Sequence, residues 1–195
     1  MRIALLGKGN VGGTLGEAWK RAGHEVIYGE RNALQEAVAS AEVVVNALPW
    51  PATREVLTGL DLKGRVLIDC TNPVFPDLSG MAIGTTTSGG EEVAKWAAGA
   101  RVVKAFNTTG FHNMANPVYD GKPVPMFYCG DDAAANEIGR RLVADVGFEP
   151  VDAGPLSNSR VLEPHALLWI WMAFGGGLGL DFAFRIVKRG EKAAP

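Results

Sequence analysis

The chain opens MRIALLGKGNVGG, residues 1–13, and the fold turns on how this stretch is read. Residues 2–6 form a short apolar run without alternation, the pattern of a strand buried on both faces. Gly7-Lys8-Gly9-Asn10-Val11-Gly12 follows, a G-x-G-x-x-G run. Residues 10–21 read as a helix, with Val11, Leu15, Ala18, Trp19 and Ala22 at helical spacing and Gly23 terminating it. A glycine run alone is weak evidence in a chain of 25 glycines. Set between a strand and a helix, it has the context that a dinucleotide cradle requires. Gly7 permits the tight turn, Gly9 lets the backbone approach a pyrophosphate, and Gly12 lets helix and strand pack closely. Free N–H groups at the helix start meet the negative charge. The plain alternative is a packing turn without a ligand.

The bulk composition narrows the rest. At 195 residues the chain suits one domain with a short appendage. A formal net charge of −2 gives no broad basic surface for nucleic acid. Met1-Arg2 runs straight into the first apolar stretch, so no signal peptide is expected. The longest apolar stretch near the end, residues 166–174, is too short for a membrane span and breaks at Gly175-Gly176-Gly177. Cys70 and Cys129, each in an apolar run, read as reduced and buried in a cytoplasmic protein. His24, His112 and His165 stand alone, with no zinc-site spacing.

Working outward from the opening unit, further strands are expected at residues 24–28, 42–48, 65–70, 101–106, 126–129 and 148–151. Helices are expected at 33–41, 52–57, 91–98 and 132–146, with Pro51 able to start the second of these. Residues 74–87 and 107–125 read as irregular. Ser157 or Asn158 is placed to cap a long helix through Phe174, and 181–189 reads as a last helical segment. Residues 85–90, TTTSGG, lack the lysine of a phosphate loop and read as a lid or a helix cap. Strands alternating with helices predict a doubly wound, mainly parallel sheet over residues 1–155, with residues 156–195 as a helical segment that packs or dimerises.

Such a sheet binds its ligand beyond the carboxyl ends of the strands. The exits carry Gly7-Lys8-Gly9, Gly29-Glu30-Arg31, Leu48-Pro49-Trp50, Thr71-Asn72-Pro73 and Asn107-Thr108-Thr109. Glu30 and Arg31 lie 18 and 19 residues past Gly12. An acidic residue there holds the ribose hydroxyls of NAD, whereas an arginine suits the extra phosphate of NADP. Trp50 either walls a redox site or packs. Asn72 and Asn107 either bond a nicotinamide carboxamide or close local turns. His112 reads as a solvated loop residue and His165 as a packing or capping one. Trp169, Trp171, Met172 and Phe174 cannot all face one way on a helix, so one side of residues 160–185 is left apolar. That favours a homodimer through this segment.

GKGNVGG with AGHEV behind it, then VLIDCTNPV, EEVAKWAAGARVVKAFNT, MFYCGDDAAA, VGFEPVDAGPL and LEPHALLWIWMAF, span the chain to about residue 185. Together these segments resemble the NADP oxidoreductases related to coenzyme F-420-dependent NADPH oxidoreductase, and with them the cytosolic domain of the STEAP metalloreductases. The resemblance implies a Rossmann domain that binds NADP(H), with a second redox partner, a deazaflavin or flavin, stacked on the nicotinamide. Hydride then passes directly between two rings, and the protein supplies proximity and orientation rather than an acid, a base or a nucleophile. No catalytic dyad is expected, and no metal.

Two departures from the family pattern matter. Relatives carry Thr in place of Lys8 and Ser in place of Glu30, while Arg31 is kept. The segment after the second strand is also short, which implies that one strand-helix unit is deleted and the adenosine side is open. Lys8 is expected to pair with Glu30 and to reach a 2′-phosphate, with Arg31 on its other side. The balance favours NADP(H) over NAD(H), with a switch to NAD the rival. The site set is then Gly7, Lys8, Gly9, Asn10, Val11, Gly12, Glu30, Arg31, Leu48, Pro49, Trp50, Asn72 and Asn107. Beside the flat-acceptor oxidoreductase stand two alternatives. One is a small imine or carbonyl reductase, weakened by the short tail. The other is a non-enzymatic nucleotide sensor.

Overall fold

β1 (Arg2–Leu6) leads through the glycine turn into α1 (Asn10–Arg21), β2 (Glu25–Tyr28), α2 (Leu34–Ser40), β3 (Val43–Asn46), α3 (Trp50–Thr58) and β4 (Val66–Asp69). The second half runs α4 (Gly89–Trp96), β5 (Arg101–Ala105), α5 (Phe111–Ala115), β6 (Val118–Tyr119), β7 (Lys122–Pro123), β8 (Pro125–Gly130), α6 (Ala133–Val146), β9 (Glu149–Asp152) and α7 (Ser159–Phe174). This computed structural model describes residues 1–30 and 32–189.

Seven strands form one sheet in the order β2-β1-β3-β4-β5-β8-β9. The first five are mutually parallel, β8 runs antiparallel to β5, and β9 is parallel to β8. This is the Rossmann-type sheet expected from the alternation. β2 is its edge, because α2 leads straight across to β3 with no further strand outside it. The central strands β3 and β4 are buried along their whole length, as two-faced burial under helices requires. Trp19 of α1 is fully buried, and its indole N–H donates to Leu142 O of α6 at 3.0 Å. Asp132 caps α6 by accepting from Ala135 N, and Gly147 ends the helix at φ +105°, a left-handed conformation that glycine adopts without a Cβ clash. The TTTSGG stretch is a helix cap: Ser88 Oγ accepts from Glu91 N at the start of α4.

Three expectations are corrected. Residues 107–125 are not irregular throughout but hold α5 and the β6-β7 hairpin. Because β8 is antiparallel, the chain need not cross the sheet between β5 and β8, so α5 stays at the carboxyl end of β5. Residues 181–189 form no helix; they lie as a non-helical strap, with Phe182 stacked on Trp169 at 5.2 Å between centroids. Asn158 stands at the N-cap of α7 without a side-chain capping bond, its amide instead donating to Ala153 O.

Both cysteines are buried and free. Among the described residues no helix is long and apolar enough to cross a membrane, and no cluster of three or more metal-ligating side chains is found. His24 is buried and bonds Asp145 at 2.8 Å, fastening the start of the chain to α6.

His165 of α7 packs edge-on between Phe127 and Phe184, and burial holds its imidazole below the ordinary value of 6.5. The fold therefore favours the neutral ring. This contribution is complete above 6.5 and is lost as pH falls through the lowered folded-state value. Chemical denaturation of wild type and His165→Phe across pH 5–8 should show wild type losing stability on acidification more steeply than the variant; parallel profiles would refute it.

Candidate active site

The glycine turn has the geometry of a cradle. Gly7 lies at φ +98°, and a Cβ there would stand 2.6 Å from Ala47 O, so the turn abuts the exit of β3. A Cβ on Gly12 would collide with Gly7 O and approach Leu5 Cδ2 to 2.6 Å. Gly9 is different: an added Cβ meets nothing within 4 Å. The turn therefore needs glycine at 7 and 12 to fold, whereas the space over Gly9 is open. Gly9 is also the N-cap of α1, which has no side-chain capping bond and no acidic residue in its first turn. Its leading amides, including those of Asn10 and Val11, are left for an anion.

From this turn a cleft of about 200 Å³ extends between two walls. One wall is Val11 with Asn72, Asn107 and Thr109 from the exits of β4 and β5; the other is Ala166, Trp169, Ile170 and Phe174 of α7. Asn72 donates to Asn107 O at 2.8 Å, and Asn107 donates back to Asn72 Oδ1 at 3.1 Å. Asn107 Oδ1 is buried without a hydrogen-bond partner. The bend that aims Asn107 is strained: Phe106, buried edge-on against Trp19 and Phe148, sits at φ +61°. A bulky residue in that conformation costs about 1–2 kcal/mol. Trp169 lies over Gly110, where a Cβ would come within 2.5 Å of its ring, and its indole donates to Phe182 O at 3.2 Å.

A second cleft, about 540 Å³, lies between Asn32, Leu34 and Gln35 after β2 and the Ala52, Glu55 and Val56 face of α3. Glu30 is exposed at the β2 exit. Lys8 does not pair with it: the Lys8 ammonium sits 4.8 Å from the centroid of Tyr28, held by the ring face. Lys20 lies 5.0 Å from the same ring. Arg31 lies outside the described residues. Leu48, Pro49 and Trp50 stand at the β3 exit; Trp50 packs on Trp96 of α4 at 5.2 Å and is not among the residues that line the cleft. Of the two readings of Trp50, the packing one has its contact in the structure. His112 is exposed and stacks on Phe111.

A charged network that the residue pattern did not bring forward lies beneath the cleft. Lys104, fully buried, places Nζ 2.8 Å from Asp69 Oδ2, 2.9 Å from Glu163 Oε1 and 2.5 Å from Thr71 O. Asp69 Oδ1 accepts from Asn46 Nδ2, Thr71 N and Thr71 Oγ1. Glu163 accepts from Gly89 N and Gly90 N at the start of α4. Burial opposes the charge on Lys104, but Asp69 and Glu163 outweigh it and raise its pKa above the usual lysine range. The signal was present: Lys in VVKAF and Asp in VLIDC interrupt strands that are otherwise continuously apolar.

With this geometry in place, comparison with known proteins finds relatives. The family described as NADP oxidoreductase, coenzyme F420-dependent, matches residues 30–73. An F420-dependent NADP reductase of Methanothermobacter marburgensis is 28% identical over 84% of this chain and 88% of its own. Metalloreductase STEAP3 of Rattus norvegicus is 27% identical over 87% of this chain, which spans only 38% of that protein's length. A solved structure from Arthrobacter sp. FB24, provisionally described as an F420-dependent NADP reductase, superposes with a TM-score of 0.83. It is 29% identical and covers 96% of this chain and 100% of its own. The chain is thus similar to the coenzyme F420-dependent NADP oxidoreductases, the resemblance its sequence segments carry.

The two glycines separate folding from binding. Gly12→Ala should lower stability by about 1–3 kcal/mol, the cost of overpacking. Gly9→Ala should leave the melting temperature within a degree or so while weakening dinucleotide binding by about tenfold or more, near the 1.4 kcal/mol that one lost close approach represents. Thermal melts and NADPH titrations check both, and an unweakened Gly9→Ala would dismiss the cradle.

Proposed function

We propose that this protein is a cytoplasmic NADP(H)-dependent oxidoreductase that passes hydride between the nicotinamide and a flat acceptor, a deazaflavin or flavin. The observation that carries the reading is the cleft itself. It starts at Val11, directly after the open turn at Gly9, and it holds one buried unpartnered acceptor, Asn107 Oδ1, among apolar and aromatic side chains. A carboxamide N–H₂ group fits that oxygen, and the apolar lining that Phe111, Ala166 and Ile170 supply suits a planar ring.

In this reading the amides at residues 9–12 hold the pyrophosphate, and the groove between the start of α2 and α3 takes the adenine. Asn107, fixed by Asn72, sets the rotation of the carboxamide. When bound, the nicotinamide supplies the two electrons and the proton as hydride, so the chain needs no acid or base at the reacting carbon. The residues of the cleft orient the two rings and exclude water. Family relationship and chemistry agree here, because the titratable group lining the cleft is the exposed His112.

Lys8 supports NADP(H) over NAD(H). Its ammonium is held beside the β2 exit by Tyr28 and, among the described residues, pairs with no carboxylate, whereas Lys20 on the same ring is bonded to Glu17 at 2.9 Å. Wild type should therefore bind NADPH more tightly than NADH. Lys8→Ala should shrink the preference about tenfold, since a charge-assisted bond to phosphate contributes about 1.5–3 kcal/mol. Glu30→Ser should widen it by removing a like charge. Equal or tighter NADH binding by wild type overturns the cofactor assignment, and NADPH binding without turnover on deazaflavin, FMN or FAD overturns the enzymatic one.

The outer face of α7 supports a homodimer through residues 160–185. Val161, Leu168 and Trp171 are 49–66% exposed, opposite the buried Leu162, Ala166, Trp169 and Ala173. Light scattering should give twice the 20.7 kDa chain mass for wild type and a monomer for Trp171→Glu; a monomeric wild type would rule the dimer out.

A further inference from the structure

The two walls of the cleft belong to parts of the chain far apart in sequence, and the buried charges join them. Asn46, Asp69 and Lys104 form one row across β3, β4 and β5, each the register partner of the next. Lys104 holds Thr71 O, the carbonyl directly before Asn72. On the other side it holds Glu163, which lies one turn before Ala166 and two before Ile170 on the cleft side of α7. All three ammonium protons are used, and both Glu163 oxygens are taken by Lys104 and the α4 amides. A cross-link this saturated has one geometry, because any drift of α7 leaves a buried charge unpaired.

Resting on the nucleotide reading above, we propose that Lys104, Asp69 and Glu163 are positioning residues that set the distance between the Asn72–Asn107 wall and α7, and so the seat of the nicotinamide. They touch no reacting atom. Their effect is confined to the nicotinamide half of the ligand, because the glycine turn and the β2 exit lie outside the network. That confinement separates positioning from general stability.

The test compares NADPH with 2′-phospho-ADP-ribose, the same ligand without its nicotinamide, by titration calorimetry. Wild type should bind NADPH more tightly. Glu163→Gln keeps the side-chain size, removes the charge and turns a donor toward other donors. It should bind 2′-phospho-ADP-ribose within about twofold of wild type and NADPH about tenfold more weakly, so the ratio of the two collapses. Glu163→Asp, with its charge on a shorter stem, should fold even where the Gln variant does not and give an intermediate ratio. Asp145→Asn breaks the remote pair with His24 and should lower the melting temperature without moving the ratio. Equal weakening of both ligands in the Glu163 variants, an unchanged ratio, or a ratio that also falls in Asp145→Asn would overturn the positioning role alone. Failure of wild type to bind either ligand would overturn the nucleotide reading, and this inference with it.

Discussion

The structure depends on a lysine ammonium placed where water cannot reach it. Lys104 is fully buried beside Asp69 and Glu163, themselves 0 and 1% exposed. Removing one partner from such a group costs about 3–5 kcal/mol. That is a large share of the 5–15 kcal/mol by which a domain of this kind is stable. The network therefore contributes little as an attraction and a great deal as a constraint. β4, β5, the start of α4 and α7 occupy the one arrangement in which every charge is met. The apolar layers on either side of the sheet drive collapse without direction, and this row of polar side chains selects which collapsed arrangement is native.

The same constraint shapes the chemistry available. α7 stands over the carboxyl ends of the strands as a roof whose inner face is apolar and whose base is fastened by a carboxylate. The opposing wall is held by a reciprocal pair of asparagine amides and by the strained Phe106. A cleft so built has little to offer proton transfer and much to offer orientation. Hydride transfer between two planar rings asks for that division of labour, because its barrier is sensitive to ring separation and to excluded water rather than to a nearby acid.

The sequence showed much of this and missed the rest for identifiable reasons. The glycine turn, α1 and the order of the parallel strands are legible because each depends on local chemistry: apolar runs, helical spacing and turn residues. Residues 107–125 were not, because α5 and the β6-β7 hairpin are short elements held by tertiary contacts such as Asn113 with Tyr119 and Phe182. The tail at 181–189 has helical composition, yet Phe182 and Phe184 gain more by stacking on Trp169 and His165 than a short helix would gain. Of the site residues, Gly7, Gly9, Gly12, Asn72 and Asn107 stand where the exits placed them. Trp50 stands at its exit too, but an aromatic there reads alike whether it lines a cleft or packs on a neighbour such as Trp96. The Lys104 network escaped because its three charged members, Asp69, Lys104 and Glu163, lie in three separate segments, and only the register of β4 and β5 brings two of them together.

The place of β2 at the edge of the sheet sets the surroundings of Lys8 and Glu30. With β2 at the edge, Val26, Ile27 and Tyr28 are half-exposed, and the β2 exit stands at the open side of the sheet. An enclosed pocket can hold a phosphate with neutral donors, because the low dielectric around it strengthens each bond. At an open edge those bonds compete with water, and a full charge is needed for comparable attraction. A flexible lysine in free solution would lose rotamer entropy on binding, but Tyr28 already holds Lys8 across its face, so much of that loss is incurred before the ligand arrives. Glu25, bridged to Arg2 at 3.1 Å, blunts the edge strand against pairing with another chain. At this edge, what Lys8 offers an anionic ligand is a charge held in place by Tyr28 rather than enclosure.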